Sequence, residues 1–400
     1  MRLKIYHIVL VSFFSLLLGC VEEIDLNSEA PLESVLVVEG TITNELKFQE
    51  IRLSRSYELE SDGPALETNA NVVVNVSDGN SYAFSQNADG VYRSTQAFEA
   101  IPNVQYELNI QTSDGKQYFS TKMTLTTDTG IDNLYLERGL NENDDEGIGI
   151  FVDAFDPTGT SQFYRYTYEE TYKIIAPFWV PQDLVVVSRD PPFAFTLELK
   201  EEEQQICYGN DKSTEIIIKN TNDLVEDRVD GFRVRFINRN NYIMSHRYSI
   251  LVTQFVQSPE AHEFYRTLQE LSSEDNIFSN TQPGLLLGNI RNSNDITEPV
   301  AGFFEVVSTD RERIYFNYAD EFPGEPLPPY LSSCGFSAPD VSRPFSTSSP
   351  LIQALDAGFK YYSENDGSVE LANGPYFLVE SFCGNCTVLG SNVQPDFWEE

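Results

Sequence analysis

Four cysteines late in the chain are the residues whose types and spacing most directly suggest chemistry. Cys207 and Cys334 stand alone, 127 residues apart, whereas Cys383 and Cys386 form a C-x-x-C. In an exported chain an even set of this kind reads as two disulfides, and sequence does not rank the three possible pairings. The alternatives are a zinc site and a redox pair. Zinc sites ordinarily bring two close pairs, and redox C-x-x-C motifs sit in a thioredoxin-like βαβ unit that is missing from the pattern here, so structural disulfides are favoured and no cofactor or metal is expected. Histidine is scarce: only His246 and His262 lie beyond the first twenty residues. That starves His-dependent metal sites and Ser-His-Asp machinery of candidates. His262-Glu263 opens like a zinc-protease motif, yet Arg266 stands where the second histidine belongs. No nucleophile elbow, P-loop or dinucleotide fingerprint occurs.

Carboxylates are abundant, 62 against 26 basic residues. A glycosidase needs two of them at a set separation in a cleft, which sequence does not reveal. A surface glycan hydrolase using such a pair is therefore the alternative to a binding role. The acidic loop Asn141-Glu142-Asn143-Asp144-Asp145-Glu146-Gly147 invites a calcium reading, but its glycine falls one place late for the EF-hand register, so a solvated loop is expected.

The remaining cysteine, Cys20, belongs to a different chemistry. Arg2 and Lys4 precede an apolar run from Ile5 to Leu18, and Leu17-Leu18-Gly19-Cys20 closes it. At 14 residues the run is shorter than the ~20 that span a bilayer, and its layout is that of a cleaved export signal. The segment resembles the lipobox of bacterial lipoproteins, which implies that Cys20 becomes the first mature residue and carries acyl chains. Several chains together anchor firmly where one anchors only marginally. Val21-Glu22-Glu23-Ile24-Asp25 looks like the acidic signal that sends Bacteroidetes lipoproteins to the outer face of the outer membrane. Removal of residues 1–19 takes away two basic residues and no acid, moving the formal net charge from −36 to −38. Such a field repels nucleic acid and suits cationic ligands or solubility at a surface.

The elements that position these residues read as strands. After a lipidated tether over 20–33, Val35–Gly40, Glu50–Arg55, Val72–Val76, Tyr106–Ile110 and Gln117–Ser120 are short β-rich runs, several alternating with period two. Asp78-Gly79, Asp89-Gly90 and Asp114-Gly115 punctuate them as turns. A β-sandwich over 34–128 is expected, followed by a larger β-rich domain over 129–400. Gly149–Phe155, Gln162–Tyr168, Arg233–Phe236, Arg247–Phe255, Val300–Val307 and Tyr376–Glu380 are its strand candidates. Leu285–Ile290 and Val300–Val307 are expected to be neighbours. One amphipathic helix stands out: Ser258 caps it, Pro259 opens it, and Ala261, Phe264, Tyr265, Leu268 and Leu271 form a stripe expected to pack on the second domain's sheet. Phe322–Pro329 is a proline-dense loop outside the sheets. Trp179, Tyr208 and Trp398 are candidates for a ligand surface, though core packing is the commoner role of such rings.

An ordered set of stretches then carries a family resemblance: Val37-Val38-Glu39-Gly40, Ile51-Arg52-Leu53-Ser54, Phe163-Tyr164-Arg165-Tyr166, Gln282-Pro283 with Gly288-Asn289-Ile290, Val300-Ala301-Gly302-Phe303-Phe304, and Cys383-Gly384-Asn385-Cys386-Thr387 with Pro395-Asp396-Phe397-Trp398. Together they resemble the Bacteroidetes surface lipoprotein family catalogued as domain of unknown function 4249. The resemblance implies an immunoglobulin-like or transthyretin-like N-terminal sandwich, a β-rich C-terminal domain, and an accessory role beside a TonB-dependent outer-membrane transporter. It implies no catalytic residue, and leaves a small ligand unidentified.

Overall fold

The structure, a computed structural model, describes residues 34–56, 65–87, 90–273, 286–344, 347–367 and 373–400. Cys20, the signal segment, the whole tether over 20–33, Asp89, Leu285 and the Gln282-Pro283 dipeptide lie outside the described residues.

The chain is mainly β. The first strands are β1 (Leu36–Thr43), β2 (Glu50–Arg55), β3 (Asn71–Val76), β4 (Ser81–Gln86), β5 (Val91–Ser94), β6 (Gln105–Gln111) and β7 (Gln117–Ser120). Their alternation is the alternation of the sequence: Leu36, Val38 and Ile42 of β1, Ile51 and Leu53 of β2, and Tyr106, Leu108 and Ile110 of β6 are buried in one core, while Glu39, Glu50 and Arg52 face out. A pleated strand sends successive side chains to opposite faces, so one wet face demands this pattern.

The second half holds β8 (Asn133–Leu140), β9 (Glu146–Phe155), β10 (Phe163–Ile175), β11 (Ile206–Lys212), β12 (Ile217–Asn220), β13 (Arg228–Asn238), β14 (Arg247–Val256), helix α1 (Pro259–Ser273), β15 (Ile290–Asn292) and β16 (Val300–Asn317). A continuous sheet runs β11-β10-β14-β16-β1-β2-β5-β4-β3-β6-β7-β15, and β8-β9-β13 forms a second layer against the β10–β14 face. Tyr164, Tyr166, Tyr168, Tyr172 and Tyr248 fill the space between these layers. Arg235 of β13 is only partly exposed. A register shift in the β9–β13 ladder accompanies its turn to Glu170, whose carboxylate is buried beside the Tyr248 hydroxyl.

Strand β16 joins the two halves. Its first part pairs in parallel with β1, from Leu36↔Val300 to Thr43↔Val307, and the rest pairs antiparallel with β14, from Val256↔Ser308 to Arg247↔Asn317. Eighteen residues at about 3.3 Å each make a spine on the order of 60 Å. To the 34–128 stretch the structure thus adds strands from beyond residue 286: Ile290, Val300, Phe304 and Val306 belong to the first core. Of the expected neighbours, the described residues 286–290 lie against β16 but form no ladder with it. β15 pairs with β7, and a single bridge, Leu287↔Ala301, reaches β16.

That contact closes the first sheet upon itself. Asn289 Nδ2 donates to the Phe304 carbonyl (2.8 Å) and the Phe304 N–H donates to Asn289 Oδ1 (2.9 Å), so one side-chain amide stands in for a strand edge. Gly288 and Gly302 make the approach possible. A Cβ on Gly288 would lie 1.6 Å from the Gly302 carbonyl oxygen, and Gly302 itself has a φ of +93° with no room beside Val38.

Candidate functional site

Helix α1 begins as its sequence requires. Ser258 Oγ accepts the Ala261 N–H, Pro259 takes the first position and Glu260 lies in the first turn. Its stripe, however, is not core. Ala261 and His262 are buried, but Phe264, Tyr265 and Leu271 are half-buried and Leu268 is 36 % exposed. The helix leans over the seam where β16 meets β1 and leaves a groove of about 860 Å³ between itself and the outward face of β1 and β2. The helix rests on the second domain's sheet as expected, with His262 against Phe163, the Tyr265 ring over Arg165, and Gln269 Nε2 of a later turn donating to the Ile216 carbonyl. What departs from the expectation is that the stripe is only partly covered by that sheet.

The groove's two sides differ in chemistry. Phe264, Leu268, Leu271 and Phe303 form an apolar wall. Glu39, Thr41, Glu50 and Arg52, the outward residues of β1 and β2, form a polar floor on which Glu39 and Arg52 are 3.9 Å apart.

At the inner end lies Arg165. Its guanidinium sits between the rings of Phe255 (4.1 Å) and Tyr265 (4.6 Å), and its Nη2 donates to Glu305 Oε1 at 2.6 Å. Glu305 is 1 % exposed; its two oxygens also accept from Thr41 Oγ1 and Gln257 Nε2. Burial works against the Arg165 charge, but Glu305 and the electron-rich Tyr265 more than offset it and hold the guanidinium above its ordinary range. Arg165 comes from β10 and Glu305 from the part of β16 that pairs with β1, so the site is assembled by the fold. Two buried atoms around it have no partner among the described residues, Arg165 Nε and Gln257 Oε1.

The four late cysteines are elsewhere, and the structure assigns their pairing as Cys207–Cys386 and Cys334–Cys383. Each half of the C-x-x-C therefore bonds a different distant cysteine. The four sulfurs pin the segment around residues 383–386 to β11 on one side and to the Cys334 loop on the other. Trp398 packs edge-on against Tyr208 and Tyr315, and Trp179 packs against the second core, so none of the three rings proposed for a ligand surface lines the groove.

The acidic loop 141–147 closes the β8–β9 hairpin. Asn141 Oδ1 accepts the Asn143 and Asp145 N–H groups, and Glu146 pairs with Arg138 and Arg239. Among the described residues no group of three or more His, Cys, Asp or Glu is placed to hold a metal ion. His262 lies in the first turn of α1 against the Phe163 ring, and His246 immediately precedes β14.

Sequence reading missed Arg165, Glu305 and the groove floor. The available sign was a cation inside an aromatic strand, Phe163-Tyr164-Arg165-Tyr166, which needs a carboxylate or a ring wherever it is buried.

A closed N-terminal sheet, a shared spine strand and a half-covered helix over the seam define a two-part, disulfide-pinned β protein with an amphipathic groove beside α1. The family profile described as domain of unknown function DUF4249 matches residues 21–313, and the chain belongs to that family. The matched span includes α1, Arg165 and Glu305; the cysteines at 334, 383 and 386 lie beyond it. No curated protein matches the chain. Among solved structures it is similar, at 11 % identity over 56 % of this chain and 89 % of the other, to a chain from a structure titled as manganese lipoxygenase of Gaeumannomyces graminis with partial zonadhesin of Komagataella pastoris. The TM-score of 0.14 gives that likeness no weight.

Proposed function

We propose that this protein is a non-catalytic binding module, anchored through lipid on Cys20 to the outer face of the outer membrane, that holds a ligand in the α1 groove as the accessory of a TonB-dependent transporter. The observation that carries the binding role is the half-exposed stripe of α1. An amphipathic helix ordinarily buries its stripe, and an apolar surface kept open beside hydrogen-bonding groups is how ligand sites are built. Anchoring and address are supported by the Leu17–Cys20 segment and the acidic run that follows it. The reading as a binder rather than a hydrolase is supported by the groove's charges. Glu305 is committed to Arg165, Thr41 and Gln257, and Glu39 lies beside Arg52, which leaves Glu50 as the carboxylate with no cation within 4 Å among the described residues.

The test of anchoring and address is metabolic labelling with a palmitate analogue, combined with protease treatment of intact cells. Label on the wild-type chain, its loss in Cys20→Ser, and cleavage of the protein on unbroken cells are expected. An unlabelled protein, or one protected until the outer membrane is broken, contradicts the anchored or the surface-facing part respectively.

A further inference from the structure

From the chemistry of the groove we infer that its ligand is a neutral oligosaccharide. This inference rests on the groove being the ligand site. Three features of the lining select the class.

First, the charges come as neighbours of opposite sign. Arg165 faces Glu305 at 2.6 Å and Arg52 faces Glu39 at 3.9 Å, with Glu50 left over. The groove therefore carries no excess of positive charge, and in a chain of net charge −36 it disfavours anions: uronic acids, phosphates and acidic peptides are repelled.

Second, donors and acceptors are interleaved on the floor. Glu39 of β1 lies directly across from Arg52 of β2, and Thr41 across from Glu50, so two acceptors and a planar guanidinium fork share a two-by-two patch in which the Thr41 hydroxyl already donates to Glu305. Cross-strand and diagonal neighbours on one face of an antiparallel pair are about 5 to 8 Å apart, a spacing able to engage neighbouring hydroxyls of one ligand. Opposite the patch is the apolar wall of Phe264 and Leu268, which suits the C–H face of a pyranose ring. A ligand with hydroxyls along one edge and an apolar flat face matches both sides at once.

Third, an extended peptide is the poorer fit. Peptides that dock on sheets do so by adding a strand to a free edge. Under the groove β1 is paired on both sides, with β16 and β2, and β2 with β1 and β5. The floor offers side chains and no open main-chain edge.

The experiment presents the mature chain to an array of neutral and acidic oligosaccharides, then titrates the best ligands calorimetrically into wild type, Arg52→Ala, Leu268→Lys and, as a distant surface control, Val388→Lys. Leu268 and Val388 are both exposed enough for lysine to be tolerated. The expected result is binding of a neutral oligosaccharide that weakens at least about tenfold in Arg52→Ala and Leu268→Lys and is unchanged in the control. Acidic oligosaccharides that bind in a Leu268→Lys-sensitive way would keep the groove and overturn the ligand class. Neutral binding indifferent to both groove variants overturns the groove as the ligand site. An array without any neutral ligand overturns the inference itself.

Discussion

Arg165 and Glu305 meet at 2.6 Å across the boundary between the two halves, one from β10 and the other from the part of β16 that pairs with β1. Both are nearly buried, and the cation is held between two rings. A buried pair of this kind adds little net stability over an apolar pair of equal volume, but breaking it leaves a charge stranded. Arg165→Ala is therefore expected to cost about 3 to 5 kcal/mol, whereas the double replacement Arg165→Met with Glu305→Leu recovers most of that loss. Urea unfolding of the three proteins measures it. Equal midpoints for the single and double variants would remove the pair from its structural role.

Asn289 replaces a missing strand. With alanine there, the Phe304 N–H and C=O both lose their partner in a buried setting, at about 1 to 3 kcal/mol for each unsatisfied group. Asn289→Asp restores an acceptor but no donor and sets a carboxylate against a carbonyl, so it is expected to be no better than alanine. Gly288→Ala is predicted to fail to fold, because its methyl would overlap the Gly302 carbonyl. Thermal melts that leave either Asn289 variant within a degree of wild type would contradict the closure.

The period-two runs of β1, β2 and β6 were legible because one face of each is wet, and α1 was legible because Ser258 and Pro259 mark its start. The disulfides were legible in number; their pairing was not, since it depends on which surfaces the fold brings together. The same limit hid the spine. Parallel pairing of β1 with β16 joins residues 264 apart in sequence, and nothing local in Leu36–Thr43 encodes its partner. The groove escaped for a related reason: Glu39, Glu50 and Arg52 read as ordinary wet-face residues, and only the position of α1 turns that face into a floor. The stripe of α1 looked like core because sequence gives its periodicity and not the length of sheet beneath it.

The two disulfides close loops of 179 and 49 residues in sequence separation. On the chain-entropy estimate each contributes about 4 to 5 kcal/mol. Cys334→Ala with Cys383→Ala is expected to lower the unfolding midpoint while leaving ligand binding in the α1 groove intact, since neither cysteine lines it. Loss of binding at a temperature where the variant is still folded would show that the C-terminal pin reaches the groove.

Acid should weaken this fold in two stages. Burial keeps His262 below its ordinary value despite Glu263, so the unfolded chain takes up a proton below about pH 6.5 that the native chain refuses, and stability falls from there downward. Burial pushes the Asp156 carboxyl up, but hydrogen bonds from Thr158, Thr160 and Ser161 together pull it well below the carboxylate range. Its contribution is complete above the unfolded value of about 4 and is lost as pH drops further. His262→Gln should flatten the stability profile between pH 6.5 and about 5, and Asp156→Asn the part below about 4. Profiles parallel to wild type in both windows would contradict these assignments.

The role proposed for the chain is that of a transporter's surface accessory. Its most direct test is extraction of the native protein from its own outer membrane in mild detergent, followed by identification of what co-elutes. A large β-barrel transporter at one-to-one stoichiometry is the predicted result. The protein eluting alone, at several detergent strengths that leave other outer-membrane complexes intact, would contradict it.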